Sequence, residues 1–213
     1  MSTINQRIWV FDLDDTLHNA SAHIFPVMNG AMTQYIQASL DLDEVAADHL
    51  RKHYWKVYGA TLKGLMRNHG TNPHHFLYET HLFPDLAERV IQTKRLRHLL
   101  LSLKGRKVIF TNAPRNYALR VLDLLGIGDV FELVFSVESS RFHAKPTVRG
   151  FQSLLKSINA KPSSCIMLED NLAALMTAKR LGMKTIWISR KLSKPNFVDF
   201  RLSSVSALAN LQL

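Results

Sequence analysis

Short apolar runs rich in β-branched and aromatic residues sit at two widely separated places in this chain, and their spacing limits the fold. The first, Ile8-Trp9-Val10-Phe11, stands alone near the start. The others are Val108-Ile109-Phe110, Val130-Phe131-Glu132-Leu133-Val134-Phe135, Cys165-Ile166-Met167-Leu168 and Thr185-Ile186-Trp187-Ile188, separated by stretches of helical periodicity. Short apolar runs alternating with helices read as βα units built into a mostly parallel sheet. A weaker strand candidate near residues 197–202 precedes a short helix. Residues 20–100 show helical periodicity and no convincing strand. There, Asp41 with Glu44 three residues on has the form of a capping box, opening a helix to about residue 58. Asn72 before Pro73 is an N-cap followed by proline at the first helical position. The pattern predicts an α/β core, residues 1–18 and 92–213, interrupted after its first strand by an all-helical insertion, residues 19–91.

Composition narrows the setting. At 213 residues the chain is long enough for a substantial core. No apolar run approaches the roughly 18–20 residues that span a bilayer, and the N-terminus lacks the basic-then-apolar pattern of a secretion signal. The single cysteine, Cys165, cannot form an intramolecular disulfide, and its place in an apolar run reads as packing. A reducing cytoplasm is the expected location. The net charge of +10 is lopsided: residues 101–213 hold 17 Lys and Arg against 7 Asp and Glu, whereas residues 1–100 hold 10 of each. Such a surplus suits nucleic acid, but no aromatic-interleaved basic stripe or nucleic-acid motif accompanies it. Nucleic acid is therefore not the expected partner; a basic surface that draws in small anions is.

Four segments at predicted strand ends carry acids, a hydroxyl or an amine. Asp12 and Asp14 follow directly on the first strand. Aspartate is common in strand-ending turns, yet like charges at the carboxyl edge of a parallel sheet fall where open α/β folds bind ligands. A calcium loop fails there, since its sixth position would be Leu17 and not glycine. Thr111-Asn112 can cradle an anion or cap a helix. Lys145 before Pro146 can be a solvated charge or an active-site cation. Glu169-Asp170 closes another strand, where Asp170 can cap the next helix or bind metal.

In this order (paired aspartates, threonine, lysine, paired acids) the segments resemble the four motifs of haloacid-dehalogenase superfamily phosphatases, across essentially the whole chain. The resemblance implies a Rossmann-like parallel sheet with the insertion as a type 1 cap domain that supplies specificity. It implies Asp12 as nucleophile and metal ligand, and Asp14 as general acid, then base, with its backbone carbonyl on the metal. It further implies Thr111 and Lys145 on the phosphate, and Asp170 with Glu169 around Mg²⁺. Those roles require Asp14 to begin protonated. A second likeness, to the pyrimidine 5′-nucleotidase branch, rests on Tyr58-Gly59-Ala60-Thr61-Leu62-Lys63-Gly64-Leu65 with His69, on Thr111-Asn112, and on Arg120-Val121-Leu122 and Leu125-Gly126-Ile127. That branch often carries Ser and Asn where this chain has Asn171 and Ala174.

The expectation is thus a Mg²⁺-dependent enzyme releasing phosphate from small monoesters through an aspartyl-phosphate, with nucleoside 5′-monophosphates such as UMP and CMP as substrates. Asn112, Tyr58, Thr61 and Lys63 are substrate-binding candidates. Tyr54 with Tyr58 would stack on a base or simply pack on one helix face, and His23 and Arg115 are further candidates. The alternatives are a sugar-phosphate phosphatase or phosphomutase, and a non-catalytic binding protein.

Overall fold

The computed structural model describes residues 7–93 and 95–211. The chain runs from β1 (Ile8–Phe11) into α1 (Ala20–His23), α2 (Phe25–Leu40), α3 (Glu44–Tyr58), α4 (Thr61–His69), α5 (Pro73–Thr80) and α6 (Leu86–Arg89). It continues as α7 (Leu96–Ser102), β2 (Arg106–Phe110), α8 (Arg115–Leu124), β3 (Leu133–Phe135), α9 (Val148–Ser157), β4 (Cys165–Glu169), α10 (Leu172–Arg180), β5 (Lys184–Ile188) and β6 (Phe200–Leu202). Two compact units result, one comprising the chain up to Asn19 and from Val90 onward, the other Ala20–Arg89.

The first unit is a six-stranded sheet in the order β3-β2-β1-β4-β5-β6, parallel throughout. All four residues of β1 are buried, as expected for a strand covered on both faces. On one face Ile8, Val10, Val108, Phe110, Cys165 and Met167 pack with Phe151, Leu154 and Leu175 from α9 and α10. The other face includes Phe11, edge-on to Phe131 with ring centroids 5.7 Å apart. Each such side chain contributes roughly 1.5–3 kcal/mol through burial. Cys165 is fully buried in this layer, and burial raises its thiol above the ordinary value, so packing is its role.

The apolar run from Val130 pairs only over Leu133–Phe135, because Gly128–Val130 winds into a 3-10 turn first. The weak final candidate is a short edge strand, β6, followed by a 3-10 helix at Val205–Asn210.

In the helical unit the cap of α3 is Asp43, whose carboxylate accepts the Ala46 amide at 2.8 Å. The capping-box reading of Asp41 is corrected: Asp41 ends α2 in the left-handed region at φ 53°, a conformation that aspartate tolerates better than most residues. Asn72 caps α5 as its sequence predicts, accepting the amides of His74 and His75. Arg51 of α3 reaches Asn29 and Thr33 of α2 while its carbonyl accepts the Thr61 hydroxyl at 3.1 Å, tying three helices together. Gly64 lies so close to Tyr54 that an added Cβ would stand 2.3 Å from the ring. Among the described residues no helix is long and apolar enough to cross a membrane.

Candidate active site

The strand order reverses between β1 and β4, which makes the crevice beyond their carboxyl ends the expected ligand position. The register pairs Phe11 with Leu168, and the Asp12 amide donates to the Leu168 carbonyl at 3.0 Å. Asp12 and Glu169 are thereby brought side by side. Thr111 directly follows neighbouring β2, and its amide donates to the Phe135 carbonyl of β3 at 3.0 Å.

Lys145, from the loop before α9, completes a buried triad. Its Nζ lies 2.7 Å from Asp12 Oδ1 and 2.6 Å from Glu169 Oε2. The main chain of that lysine is clamped by Asn112, whose Oδ1 accepts the Lys145 amide at 2.7 Å and whose Nδ2 donates to the Lys145 carbonyl at 3.0 Å. Both ends of the Asn112 carboxamide bond the Lys145 main chain, so Asn112 positions that lysine. Asp12 Oδ2 accepts the Thr16 hydroxyl at 3.0 Å, and Glu169 Oε1 accepts the Asn171 amide at 3.2 Å.

Burial raises Asp12 above the ordinary carboxylate value, with the charge of Glu169 adding and Lys145 opposing. Burial raises Glu169 likewise, with Lys145 again opposing and Asp170 adding. Burial, then the charge of Asp12, pushes Asp170 up to about 6. Lys145 would be lowered by burial, but Asp12 and Glu169 outweigh it and hold it charged. Asp12, Glu169 and Asp170 each offer an oxygen within 4.8 Å of the others. Three acids against one lysine form an oxygen-only donor set with surplus negative charge, which fits a hard divalent cation such as Mg²⁺.

Asp14 stands apart from this cluster. Its Oδ1 lies 2.9 Å from His18 Nε2 and 2.7 Å from the Tyr117 hydroxyl. Between them the turn passes through Asp15 at φ 60°, and Leu17 closes it by donating to the Leu13 carbonyl at 2.9 Å.

Asp170 is not the cap of α10: Asn171 takes that place, accepting the Ala173 and Ala174 amides at 2.9 and 3.2 Å. The Asp170 carboxylate is thus left to the cluster, and its carbonyl is held by Trp187 Nε1 at 2.8 Å. Thr111 does not cap α8; its Oγ1 accepts the Ala113 amide at 3.0 Å. Arg115 does not aim at a phosphate, because its guanidinium donates to the Val134 carbonyl at 3.0 Å.

Tyr58, Thr61 and Lys63 belong to the helical unit. Thr61 is buried, and its hydroxyl donates to the Arg51 carbonyl. Lys63 is exposed and Tyr58 half-buried. Tyr54 is buried and hydrogen-bonded to His69 at 2.7 Å, with the Tyr58 ring centroid 5.6 Å away. The pair packs on one helix face, and His69 serves Tyr54.

Sequence reasoning missed Thr16, His18 and Tyr117. Thr16 and His18 follow Asp12 and Asp14 by four residues each, a local signal. Tyr117 approaches Asp14 across 103 residues, and nothing local announces it.

Comparison with known proteins gives a consistent picture. The family model of haloacid dehalogenase-like hydrolases matches residues 7–182. Phosphate metabolism protein 8 of Saccharomyces cerevisiae is 26% identical over 195 residues, 84% of this chain and 60% of that protein. The chain therefore spans less than two thirds of that relative. A phosphoglycolate phosphatase of Colwellia psychrerythraea is 22% identical over 204 residues, 89% of this chain and 87% of its own. Among solved structures, the magnesium-bound HAD-hydrolase YfnB of Bacillus subtilis superposes with a TM-score of 0.65 at 16% identity, covering 96% of this chain and 97% of that one, a likeness of fold.

Proposed function

Because the chain belongs to the haloacid dehalogenase-like hydrolases, we propose that it is a phosphatase that cleaves small phosphate monoesters through a phosphorylated Asp12. The observation that carries this reading is the contrast between two neighbouring aspartates: Asp12 is salt-bridged to the buried Lys145, whereas Asp14 is held by Tyr117 and His18 outside the acidic cluster. That contrast supports a nucleophile's role for Asp12, beside a cation, and a proton carrier's role for Asp14.

A carboxylate and a phosphate dianion repel. Two unit charges at about 4 Å and an effective dielectric near 20 oppose each other by roughly 4 kcal/mol. Lys145 offsets part of that, and the Thr111 hydroxyl can donate to a phosphate oxygen. Mg²⁺, held by Asp12, Asp170 and Glu169 with the Asp14 carbonyl that the resemblance implies, would supply further charge neutralisation. Asp14 protonates the leaving oxygen and later takes a proton from the attacking water.

As substrates we propose nucleoside 5′-monophosphates, UMP and CMP first, on the likeness of the segment from Tyr58 through Leu65 to pyrimidine 5′-nucleotidases. Residues 20–89 would act as the cap domain, with Tyr58 and Lys63 as specificity candidates. The phosphoglycolate phosphatase relative, matched over 87% of its length, favours a small carboxylated phosphate as the second reading. The test is phosphate release from a metabolite panel with and without Mg²⁺. Release that depends on the metal, is abolished by Asp12→Asn and is fastest on UMP or CMP supports the proposal. Equal rates on sugar phosphates and nucleotides remove the nucleotide assignment, and no release from any substrate removes the phosphatase.

A further inference from the structure

Two buried side chains touch Asp14, and the steps above give neither of them a chemical task. Tyr117 is 2% exposed and His18 6%. The Tyr117 hydroxyl donates to Asp14 Oδ1 at 2.7 Å, and His18 Nε2 lies 2.9 Å from the same oxygen. His18 Nδ1 has no hydrogen-bond partner among the described residues. An imidazole buried with one nitrogen unpaired carries a desolvation penalty that leucine would avoid at the same site. Packing alone does not explain its presence, and the polar contact it makes is Asp14. Tyr117 arrives on the first turn of α8, and the Glu138 carboxylate fixes that turn by accepting the Arg115 amide at 3.1 Å from each oxygen. The phenol is therefore rigidly aimed.

With the Tyr117 hydroxyl and, in its Nε2-protonated tautomer, His18 both donating to Oδ1, the acceptor directions of that oxygen are taken. Among the described residues the hydrogen bonds to the Asp14 carboxylate fall on Oδ1. We propose that Tyr117 and His18 are positioning residues that hold Asp14 by Oδ1 and so make Oδ2 the oxygen that exchanges the proton. This inference rests on the phosphatase reading. In the first step the bond from Asp12 to phosphorus forms as the ester P–O bond breaks. Its electron pair goes to the ester oxygen, which takes the proton from Asp14 Oδ2 and leaves as the alcohol. In the second, water oxygen bonds to phosphorus, Oδ2 takes a water proton, and the pair of the broken Asp12–phosphate bond returns to the Asp12 carboxylate.

The leaving group distinguishes positioning from a merely structural role. An alkoxide needs the proton to depart, whereas p-nitrophenolate departs largely without it. The experiment measures kcat/KM, which reports the first phosphoryl transfer, with saturating Mg²⁺ on alkyl phosphates and on p-nitrophenyl phosphate. Tyr117→Phe keeps the ring and removes the donor. It is expected to lose about 10- to 100-fold on alkyl phosphates and far less on the aryl ester. His18→Leu should shift the alkyl-to-aryl ratio in the same direction, and His18→Gln, with an amide nitrogen in place of Nε2, should recover it. In an Asp14→Asn background, Tyr117→Phe should shift the ratio no further.

Equal losses on both ester classes, or none, in an active and folded Tyr117→Phe protein would overturn the proposal. If Tyr117→Phe does not fold, the His18→Leu and His18→Gln pair decides, and failure of Gln to restore the ratio overturns it. A wild-type protein that hydrolyses none of these esters overturns the phosphatase reading instead, a result visible before any variant is made.

Discussion

Replacing Lys145 with methionine removes the only cation of a triad in which the lysine, Asp12 and Glu169 side chains are 4%, 8% and 3% exposed. At 2.7 and 2.6 Å, and an effective dielectric near 20, each pair attracts by about 6 kcal/mol. Desolvating three ions costs several kcal/mol each, so the intact triad contributes little net stability. One-sided removal is different, because it leaves two carboxylates buried without compensation. Lys145→Met should therefore cost about 3–5 kcal/mol. For a chain of this size that lowers Tm by roughly 6–20 °C. Neutralising all three, Asp12→Asn with Lys145→Met and Glu169→Gln, should cost much less than Lys145→Met alone. The assay is urea unfolding of purified protein in a chelator, with midpoints and slopes compared across single, double and triple variants. If Lys145→Met stays within about 1 kcal/mol of wild type, or if the three substitutions simply add, the electrostatic account of the triad is wrong.

Asn112→Ala frees the backbone of Lys145 from its clamp and should lower kcat about 10-fold or more with little change in KM; steady-state kinetics on the preferred substrate check it, and Asn112→Asp, which keeps the acceptor for the lysine amide, should lose less. Gly64→Ala drives a Cβ to 2.3 Å from the Tyr54 ring and should destabilise the helical unit by about 1–3 kcal/mol, read by thermal melts, with Tyr54→Ala in the same chain relieving the clash. Asp199 accepts the amide of fully buried Thr185 at 2.8 Å, the Thr185 hydroxyl at 3.0 Å and Lys179 Nζ at 2.6 Å, so Asp199→Ala should cost about 2 kcal/mol at neutral pH. Burial would raise the Asp199 carboxyl, but these bonds prevail and hold it below its ordinary 3.8. A depressed carboxyl stabilises fully above its ordinary value and loses that contribution as pH falls through its folded value. The gap in urea midpoint between wild type and Asp199→Ala should accordingly be constant near neutrality and close below about pH 4.

What could be read in the sequence follows from the range of each interaction. The strands were legible because a sheet buried on both faces demands runs such as Ile8-Trp9-Val10-Phe11, and the acids at their ends because the next residues of the same strands, Asp12 and Glu169, are placed by register alone. Local capping was half legible. Asn72 followed its rule, but Asp41 and Asp43 both lie within reach of a helix start, and only the backbone decides that Asp43 caps α3 while Asp41 ends α2. Asn171 departs from the branch pattern, and its function as the cap that leaves the Asp170 carboxylate to the acidic cluster appears only in three dimensions. Thr61 has the polarity of a ligand contact, and sequence carries no sign that Arg51 already takes its hydroxyl. Tyr117 is the clearest limit: its contact with Asp14 depends on how α8 packs beyond β1, which no pattern within either segment encodes.

The central claim is that Asp12 becomes phosphorylated. The direct measurement is an acid quench of the Asp14→Asn protein turning over with Mg²⁺ and a good substrate, followed by mass spectrometry of the peptide that holds Asp12. Loss of the general base should slow hydrolysis of the intermediate, so one phosphoryl group should accumulate on Asp12, be removed by hydroxylamine, and be absent from Asp12→Asn. Phosphate release with no label on Asp12 at any quench time, or a label on another residue, would contradict the account.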